Sequence, residues 1–580
     1  MPVYFNDATD DPLVFDSQPV IQGINSYGRA STIPQILASN LENVELSTSG
    51  ITKSRRGAWR ISSDTYTTVH AVIGLRTSVW DYGLMIFADG NVYLHTPDVT
   101  GVLFTGEYNS SALAHQCSAA EINGAIYFTD GSGDILVIRQ TGSEDILVDA
   151  DGNGVWDDVS SIVAYDVAVE IADTDSPENT RALTAHMFRL FCATGIDNLH
   201  VSYILPDLGA DQNEEVTSDP NNTDPGTGDI FPAINSIRIG KGNSDAIRSI
   251  VAFKDFRVAI LKDNSIYVVN ADPTLRPADY TVQLVSDKVG CLAEKSAVRV
   301  GDDILFLSRD GVRSIGTAFQ QDQVATSDPI SLPIHDIIEE INWGYANRSC
   351  AAYWRGRYIL AVPTGSSTTP NTVLVYDTNL KQWSGRWSGW KPTAFDIYEP
   401  LNDRRRLVWA DATNNNVVYL RDHIDEDATT ENDYADQLGA DYTQVPFEIL
   451  TRGLTFGDPI SPKTCDFLEV EFYKSKARAN ITLIPDGGDE VILDSGQLVD
   501  TGTGELRLDF VLPAVLGKPG IVRHNMSLTG TNQGREFQVK ITSSSATQVT
   551  EAGLQLDDQR YIALRNINLG AFLETLEKQV

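Results

Sequence analysis

Residues 302–316 read DDILFLSRDGVRSIG, in which an apolar run is followed by an Asp-Gly step and a second short apolar run. Asp-Gly and Asp-Asn steps supply the positive φ angles that tight hairpin turns require. The segment therefore predicts two antiparallel strands joined by a short turn. Related segments recur as LMIFADGNVYLH at 84–95, AIYFTDGSGDILVI at 125–138, VAILKDNSIYVV at 258–269 and LVWADATNNNVVYL at 407–420, with looser copies at 188–204 and 358–376.

These seven hairpins form a repeat, and a further short strand candidate precedes them, such as HAVIGL at 70–75. Three or four strands per repeat are typical of a β-propeller blade. Runs such as ILFL and LMIF are apolar at every position, which requires both strand faces to be covered, as between stacked blades. We therefore predict an all-β fold with a β-propeller of six to eight blades, seven being favoured. A stack of β-sandwiches is the alternative, and its strands would alternate with one polar face.

Changes in composition and in hydrophobic pattern along the chain predict the domain organisation. Residues 1–60 form a partly extended N-terminal segment, and 61–420 form the propeller, with a polar insertion loop at 206–230. An acidic linker at 421–445 precedes alternating strands at 446–580, which predict a C-terminal β-sandwich. The stretch 331–342 is the main internal helix candidate. A short C-terminal helix is also expected, with one apolar stripe formed by Leu569, Phe572, Leu573 and Leu576.

Composition limits the classes of function. The chain of 580 residues has 79 acidic and 44 basic residues, a formal net charge of -35, and this field opposes tight binding of phosphates. The same acidity also serves solubility. The five cysteines have no CxxC spacing, which favours buried free thiols. No apolar stretch reaches the length of a membrane span and the first residues lack the features of a secretory signal, so we expect a soluble protein without stable membrane insertion.

The segment DADGNGVWD at 149–157 is the sharpest local motif. Its oxygen-bearing side chains fall at alternate positions, a spacing that suits Ca²⁺. No Glu occupies the twelfth position, where an EF-hand loop has one, so a bare acidic turn between strands is the competing interpretation. The candidate calcium ligands are Asp149, Asp151, Asn153 and Asp157.

Markers of catalysis are missing from the sequence. It contains no HExxH, GxSxG or GxxxxGK[ST] motif, and we expect no enzymatic activity. Paired carboxylates of a glycosidase stay possible in so acidic a chain. The cluster QWSGRWSGW at 382–390 could stack sugars, although packing between blades is the favoured interpretation. Basic residues at 52–60 and 403–407 are expected to pair with carboxylates at a subunit contact.

Four segments together resemble β-propeller tail proteins of bacteriophages. NLENVELSTSGITKSRRGAW at 40–59 is similar to the opening of those proteins, with the match carried by Gly50, Arg55, Arg56 and Gly57, although Arg56 stands where proline is common. Residues 237–269, 290–315 and 375–387 resemble successive blades of the same proteins.

The resemblance implies the tail hub or nozzle of a short-tailed phage. Such a protein would be a structural virion component, assembled in the host cytoplasm as a homo-oligomer, commonly a hexameric ring. Its partners would be the portal-adaptor ring, tail fibres or other tail proteins, and double-stranded DNA in transit without sequence specificity. The alternative is a propeller adhesin or glycan-binding protein, using the tryptophan cluster and the Asp149 loop, and after that a glycosidase.

Overall fold

The computed structural model describes residues 4–573 with gaps; the gaps longer than seven residues are 141–166, 203–230, 317–327, 421–434, 501–519 and 544–562. The described residues are mostly in strands, as the sequence predicts. The short segments at the start of the chain are β1 (Tyr4–Asn6), β2 (Thr9–Gln18), β3 (Gly23–Ile24), β4 (Leu37–Ala38), β5 (Asn40–Glu42), β6 (Val44–Leu46), β7 (Thr52–Ser54) and β8 (Ala58–Arg60).

Seven sheets follow in chain order, and we number them blades 1 to 7. Blades 1 to 4 contain, in turn, β9 (Val69–Gly74), β10 (Leu84–Ala88), β11 (Asn91–His95) and β12 (Thr100–Phe104); β13 (Ser118–Ile122), β14 (Ala125–Thr129), β15 (Leu136–Gln140) and β16 (Val167–Ile171); β17 (Arg181–His186), β18 (Arg189–Thr194), β19 (Asn198–Val201) and β20 (Ser236–Arg238); β21 (Ile247–Ala252), β22 (Arg257–Lys262), β23 (Ile266–Asn270) and β24 (Thr281–Ser286).

The remaining three blades differ at their outer edges. Within the described residues they contain β25 (Val298–Val300), β26 (Asp303–Ser308) and β27 (Gly311–Ser314); β28 (Cys350–Trp354), β29 (Arg357–Val362), β30 (Thr372–Asp377) and β31 (Gln382–Trp387); β32 (Pro392–Tyr398), β33 (Arg406–Asp411) and β34 (Asn416–Leu420). Blade 7 takes its outermost strand, β8, from the beginning of the chain. Helix α1 (His335–Glu339) lies between blades 5 and 6, inside the predicted helical stretch.

The seven predicted hairpins are the second and third strands of the seven blades. Each second strand is buried along nearly its whole length, as a strand covered on both faces must be. The first strand of each blade contacts the first strand of the next blade, and β32 of blade 7 contacts β9 of blade 1. The first strand, which precedes the hairpin in each blade, is therefore the innermost strand of the sheet.

Side chains of one strand alternate between two inter-blade cores. In β10, Met85 and Phe87 pack toward blade 2, whereas Leu84 and Ile86 pack toward blade 7. A buried apolar cluster fills the space between each pair of neighbouring blades, including blades 7 and 1. These contacts are those of a seven-bladed β-propeller. The second strands do not show the alternation with one polar face that the β-sandwich alternative would require.

The aspartate that recurs in the hairpin turns also forms hydrogen bonds with residues outside the turn. Asp89 has φ 56°, as the hairpin requires, and its carboxylate accepts the backbone N–H groups of Thr67 and Thr68 at 2.8 Å each. Asp130 and Asp411 accept a backbone N–H in the equivalent segments that lead into blades 2 and 7. The aspartate of the recurring hairpin segment therefore links the hairpin turn, by hydrogen bonds, to the segment that leads into the same blade.

The chain after blade 7 contributes to two large sheets and forms one two-stranded sheet. Its strands are β35 (Ala435–Asp436), β36 (Thr443–Gln444), β37 (Glu448–Leu450), β38 (Lys463–Phe472), β39 (Lys476–Pro485), β40 (Val491–Asp500), β41 (Gly520–Asn525), β42 (Gln533–Gly534), β43 (Phe537–Ser543) and β44 (Ala563–Leu573). The two-stranded sheet consists of β35 and β36. One large sheet has the order β1-β2-β44-β38-β41, with β42 paired to β38, β7 to β44 and β6 to β7. The other has the order β5-β37-β43-β39-β40 and continues through β5 into β31 of blade 6.

This second sheet joins the sandwich to the propeller. A single nine-stranded sheet runs from β28 to β40, and one apolar core contains residues of blades 5 and 6 together with residues of both C-terminal sheets. The N-terminal segment, expected to be partly extended, supplies strands to the sandwich and to blade 7. The C-terminal sandwich is therefore built from both ends of the described chain.

The expected C-terminal helix is wrong for residues 569–573, which belong to strand β44. Ile567, Leu569 and Ala571 are buried, and the intervening Asn568 is only partly so. Burial of every second residue is the pattern of a strand. The helix prediction relied on the spacing of the apolar residues from Leu569 onward and did not consider the alternation that begins at Ile567.

Candidate functional site

The predicted calcium ligands, Asp149, Asp151, Asn153 and Asp157, lie outside the described residues, as does the predicted insertion loop at 206–230. Within the part of the chain that the structure describes, no group of three or more His, Cys, Asp or Glu side chains is placed to hold a metal ion. The calcium interpretation stays a prediction.

The tryptophan cluster is packed inside the protein. Trp383, Trp387 and Trp390 are each at most 1% exposed. The Trp387 indole N–H donates to the Val44 carbonyl at 2.9 Å, and the ring meets Trp390 edge to face at 5.4 Å. Trp390 also packs on Trp409 of blade 7, with the ring centres 4.4 Å apart. Trp387 and Trp390 therefore fill the core between blades 6 and 7, whereas Trp383 lies in the core shared by blades 5 and 6. None of the three rings is available to stack on a sugar.

Arg55 lies at the centre of the contacts that hold the N-terminal segment on the propeller. Its fully buried guanidinium donates to both carboxylate oxygens of Asp436, with N–O distances of 2.7 and 2.9 Å. The same group donates to the Asn43 side chain at 2.8 Å and to the Ser388 carbonyl at 2.9 Å, and it lies 4.3 Å from the ring centre of Trp390. Fork-like pairing of this kind is the geometry that arginine favours.

This pairing corrects one expectation about the basic segments. Arg55, expected at a subunit contact, pairs inside its own chain with a carboxylate from the predicted acidic linker. In the second basic segment, Arg405 binds Glu399 at 2.7 Å on the surface of the same chain. The sequence did not indicate that Asp436 is the partner of Arg55, because Asp436 lies in a run of acidic residues typical of a solvent-exposed linker.

A cavity lies along the propeller axis. Its volume is about 440 Å³, and the first strands of blades 1, 2, 3 and 7 line it together with residues of blades 5 and 6. Many of its lining side chains are small, among them Ala119, Ala185 and Ala351. A volume of this size admits water or a small solute, and a nucleic acid duplex is far too wide for it.

Three 3-10 turns meet at one end of the cavity. They span Ala114–Gln116, Glu294–Ser296 and Ala346–Arg348, and each contacts the other two. Lys295 reaches across to donate to the Ala114 carbonyl at 2.6 Å, and the Asn347 amide lies 3.3 Å from the His115 ring nitrogen. These turns narrow the axial cavity at the end where the first strands of blades 2, 5 and 6 begin.

Burial changes the protonation of the groups at this end. It raises the pKa of Glu294 to about 8 despite the nearby Lys295, and it lowers the pKa of His115 to about 4, with Arg348 adding to the effect. Both side chains are therefore mainly uncharged at neutral pH, because burial removes hydration from the charged forms. The nearby cations only partly offset this loss for Glu294, and they further disfavour the protonated form of His115.

The two other carboxylates of the cavity hold blades together. Asp396 of blade 7 accepts the backbone N–H of Gly74 in blade 1 at 2.8 Å, and Glu121 of blade 2 accepts that of Arg76 at 2.9 Å. Burial raises the pKa of Asp396, and the backbone N–H groups of Gly74 and Ile397, which donate to its carboxylate, oppose the shift. The acidic groups on the axis thus serve as inter-blade ties, a role that the sequence alone did not indicate.

Comparisons with known proteins give the following results. No family model matches the chain, and no curated protein matches it. Similar solved structures include BBS1N in complex with ARL6DN in a mercury-soaked crystal, at 10% identity over 63% of this chain and 98% of that chain, with a TM-score of 0.35. The lead-soaked crystal of the same complex gives 10% identity over 64% and 99%, with a TM-score of 0.34.

An exo-beta-1,3-galactanase from Phanerochaete chrysosporium with galactose is also similar, at 9% identity over 78% of this chain and 95% of that chain, with a TM-score of 0.23. Among the described residues, no helix combines the length and apolar character needed to cross a membrane.

Proposed function

We propose that this chain is a structural protein of a bacteriophage tail, a hub or nozzle subunit that forms a ring around the path of the ejected genome. Its partners would then be further copies of itself, the portal-adaptor ring, and tail fibres or other tail proteins, and its place would be the virion tail. The proposal rests first on the four segments at 40–59, 237–269, 290–315 and 375–387 that resemble β-propeller tail proteins.

The observation that supports this role most directly is the shared nine-stranded sheet. Two parts that share one continuous sheet and one apolar core are held more firmly than parts joined by a linker. The buried pair of Arg55 and Asp436 adds a second link between the N-terminal segment and the chain beyond blade 7. A subunit that must keep its shape while DNA passes under pressure gains from such a construction.

The axial cavity of one subunit cannot be the DNA path, because its volume is about 440 Å³ and three turns narrow one end. In the proposed assembly the genome passes between subunits, through the centre of the ring. The net charge of -35 on each chain then suits a passage wall that repels phosphates and does not retain the duplex.

The alternative of a glycan-binding adhesin loses its principal ligand site. The aromatic cluster that would stack a sugar is at most 1% exposed, and its contacts are with other core residues. The Asp149 loop is what supports that alternative now, and the structure does not describe it.

Mass photometry of the purified chain tests the proposal. We expect a stable assembly near six times the chain mass of 63.5 kDa, with a central opening in negative-stain images. A monomer at every concentration, especially one that binds or cleaves an oligosaccharide, would contradict the tail role.

A further inference from the structure

Cations gather where the three 3-10 turns meet at one end of the axial cavity. Burial lowers the pKa of His115 in the first of these turns, and the charges of Arg348, Lys295 and Arg248 lower it further. All three cations therefore lie near this ring, and Lys295 also lines the cavity. A charge that is partly removed from water needs a counter-charge or hydrogen bonds, so the partners of each cation decide what this end can bind.

The three cations differ in their partners. Arg248 forms a two-pronged ion pair with Asp263, with N–O distances of 2.6 and 3.1 Å. Lys295 instead donates to a backbone carbonyl at 2.6 Å, and Arg348 donates to the Thr368 carbonyl at 2.9 Å. Within the described ranges, no carboxylate forms an ion pair with Lys295 or Arg348, although the whole chain has 79 acidic residues.

The nearby carboxyl groups do not neutralise these two cations. Glu294 precedes Lys295 in the chain, but burial raises its pKa to about 8, so it is mainly uncharged at neutral pH. The charge of Asp130 reaches Cys117, but its carboxylate accepts three backbone N–H groups in its own turn and in the segment before blade 2. These hydrogen bonds compensate the Asp130 charge at its own turn.

The other carboxylates that line the cavity, Glu121 and Asp396, lie toward its opposite end. Glu121 comes four residues after Cys117, a separation of about 13 Å along an extended strand. Asp396 is the fifth residue of β32, and the carbonyl of the first residue accepts the Cys350 thiol. Cys117 and Cys350 follow the turns closely in the chain, so both carboxylates lie at the end remote from Lys295.

A small oxyanion is the ligand that suits the turn end. An ammonium has three N–H donors and a guanidinium has five, so Lys295 and Arg348 retain donors beyond their carbonyl contacts. The Tyr345 ring packs 4.9 Å from the Arg348 guanidinium, and the Asn347 amide beside the uncharged His115 is another donor. Carboxylate and phosphate oxygens form strong hydrogen bonds with such cations. A cavity of about 440 Å³ accommodates a group of this size.

We propose that the turn end of the axial cavity binds a small oxyanion, a phosphate or carboxylate group, between Lys295 and Arg348. Lys295 lies in the turn before blade 5 and Arg348 in the turn before blade 6, and the Lys295 contact with Ala114 adds the turn before blade 2. The bound anion therefore links three blades at the axis. This inference goes beyond the proposed function, since it holds for a monomer as well as for a ring.

Isothermal titration calorimetry of the full chain at neutral pH and constant ionic strength tests the site, with inorganic phosphate in one arm and citrate in the other. K295M removes the cation that lines the cavity, and K295R keeps a positive charge there. K381M is the matched control, because Lys381 is exposed in the turn between β30 and β31, in the outer part of blade 6. R348M is the second variant at the site.

We expect the wild type and K381M to bind at least one of the two anions with equal affinity, and K295M to bind it at least about tenfold more weakly. K295R should bind more tightly than K295M because it keeps the charge. That anion should also raise the melting temperature of the wild type above its value in sodium chloride of equal ionic strength, because a ligand of the folded state stabilises it. If K295M folds poorly, R348M should still weaken binding.

Two results would overturn the inference, and neither affects the tail role. Equal binding by K295M, R348M and K381M would show that the anion binds elsewhere on the molecule. A folded wild type that binds neither phosphate nor citrate would remove the site itself. The proposed ring is tested separately, because mass photometry measures assembly in the absence of either anion.

Discussion

Replacing Asp436 with asparagine should destabilise the protein far more than an ordinary loss of one charge. The carboxylate holds both nitrogen ends of the Arg55 guanidinium at 2.7 and 2.9 Å, and it also accepts the Ala58 backbone N–H at 2.9 Å. Arg55 is fully buried, so the variant leaves a cation without a counter-charge in the core. Breaking one side of such a pair costs about 3–5 kcal/mol, and we expect D436N to lose this amount.

Urea unfolding followed by tryptophan fluorescence measures the loss, because Trp390 lies directly against the Arg55 guanidinium. The matched control is E399Q, the same change from carboxylate to amide at a pair with an N–O distance of 2.7 Å that is largely exposed. Exposed pairs contribute about 1 kcal/mol or less, so E399Q should barely move the unfolding midpoint.

A double-mutant cycle separates the pair from its surroundings. With R55M added, the loss of Asp436 no longer strands a buried cation, so R55M/D436N should cost less than the sum of the single variants by about 2 kcal/mol. Additive effects, or a D436N variant no less stable than E399Q, would refute the assignment of Arg55 and Asp436 as a stabilising link between the N-terminal segment and the chain beyond blade 7.

Three further predictions concern the propeller itself. D130N should lose about 2 kcal/mol at neutral pH, because the backbone N–H groups of Asn109, Ser132 and Gly133 lose a charged acceptor. Hydrogen bonds outweigh burial and lower the pKa of Asp130, so its stabilisation is present above the ordinary carboxyl range and is lost as the pH falls; urea midpoints of wild type and D130N should converge in acid. G74A should cost at least about 2 kcal/mol, since its Cβ would lie 2.0 Å from the Ile397 carbonyl oxygen, whereas G133A, with open space around it, should leave the melting temperature unchanged. E294Q should gain stability over the wild type as the pH rises from the ordinary glutamate range to about 8, because only the folded state resists ionisation of Glu294; a difference independent of pH would contradict the raised pKa.

Local sequence chemistry accounts for the part of the fold that could be predicted. The Asp-Gly step at 89–90 has φ values of 56° and 81°, and the uniformly apolar strand before it is buried on both faces. Turn preference and burial are properties of a few adjacent residues, so seven hairpins and their blades follow from the sequence.

Pairing between strands that are far apart in the sequence accounts for the part of the fold that could not be predicted. Strand β8 is only three residues long, and nothing local indicates that it completes blade 7 more than 350 residues later. The register that carries β31 through β5 into the sandwich depends on Gly385, where a Cβ would lie 2.2 Å from the Leu41 carbonyl oxygen. In the same way, Asp436 is one acid among many until the fold brings it to Arg55.

The pairing of β2 with β44 has a consequence for the order of synthesis. A ribosome produces β2 long before its partner strand, which begins only at Ala563. The edge of β2 that pairs with β44 must therefore stay open while seven blades form between the two partners. Shortened products that lack β44 would keep that open edge, so synthesis of β44 becomes a checkpoint for folding of the sandwich.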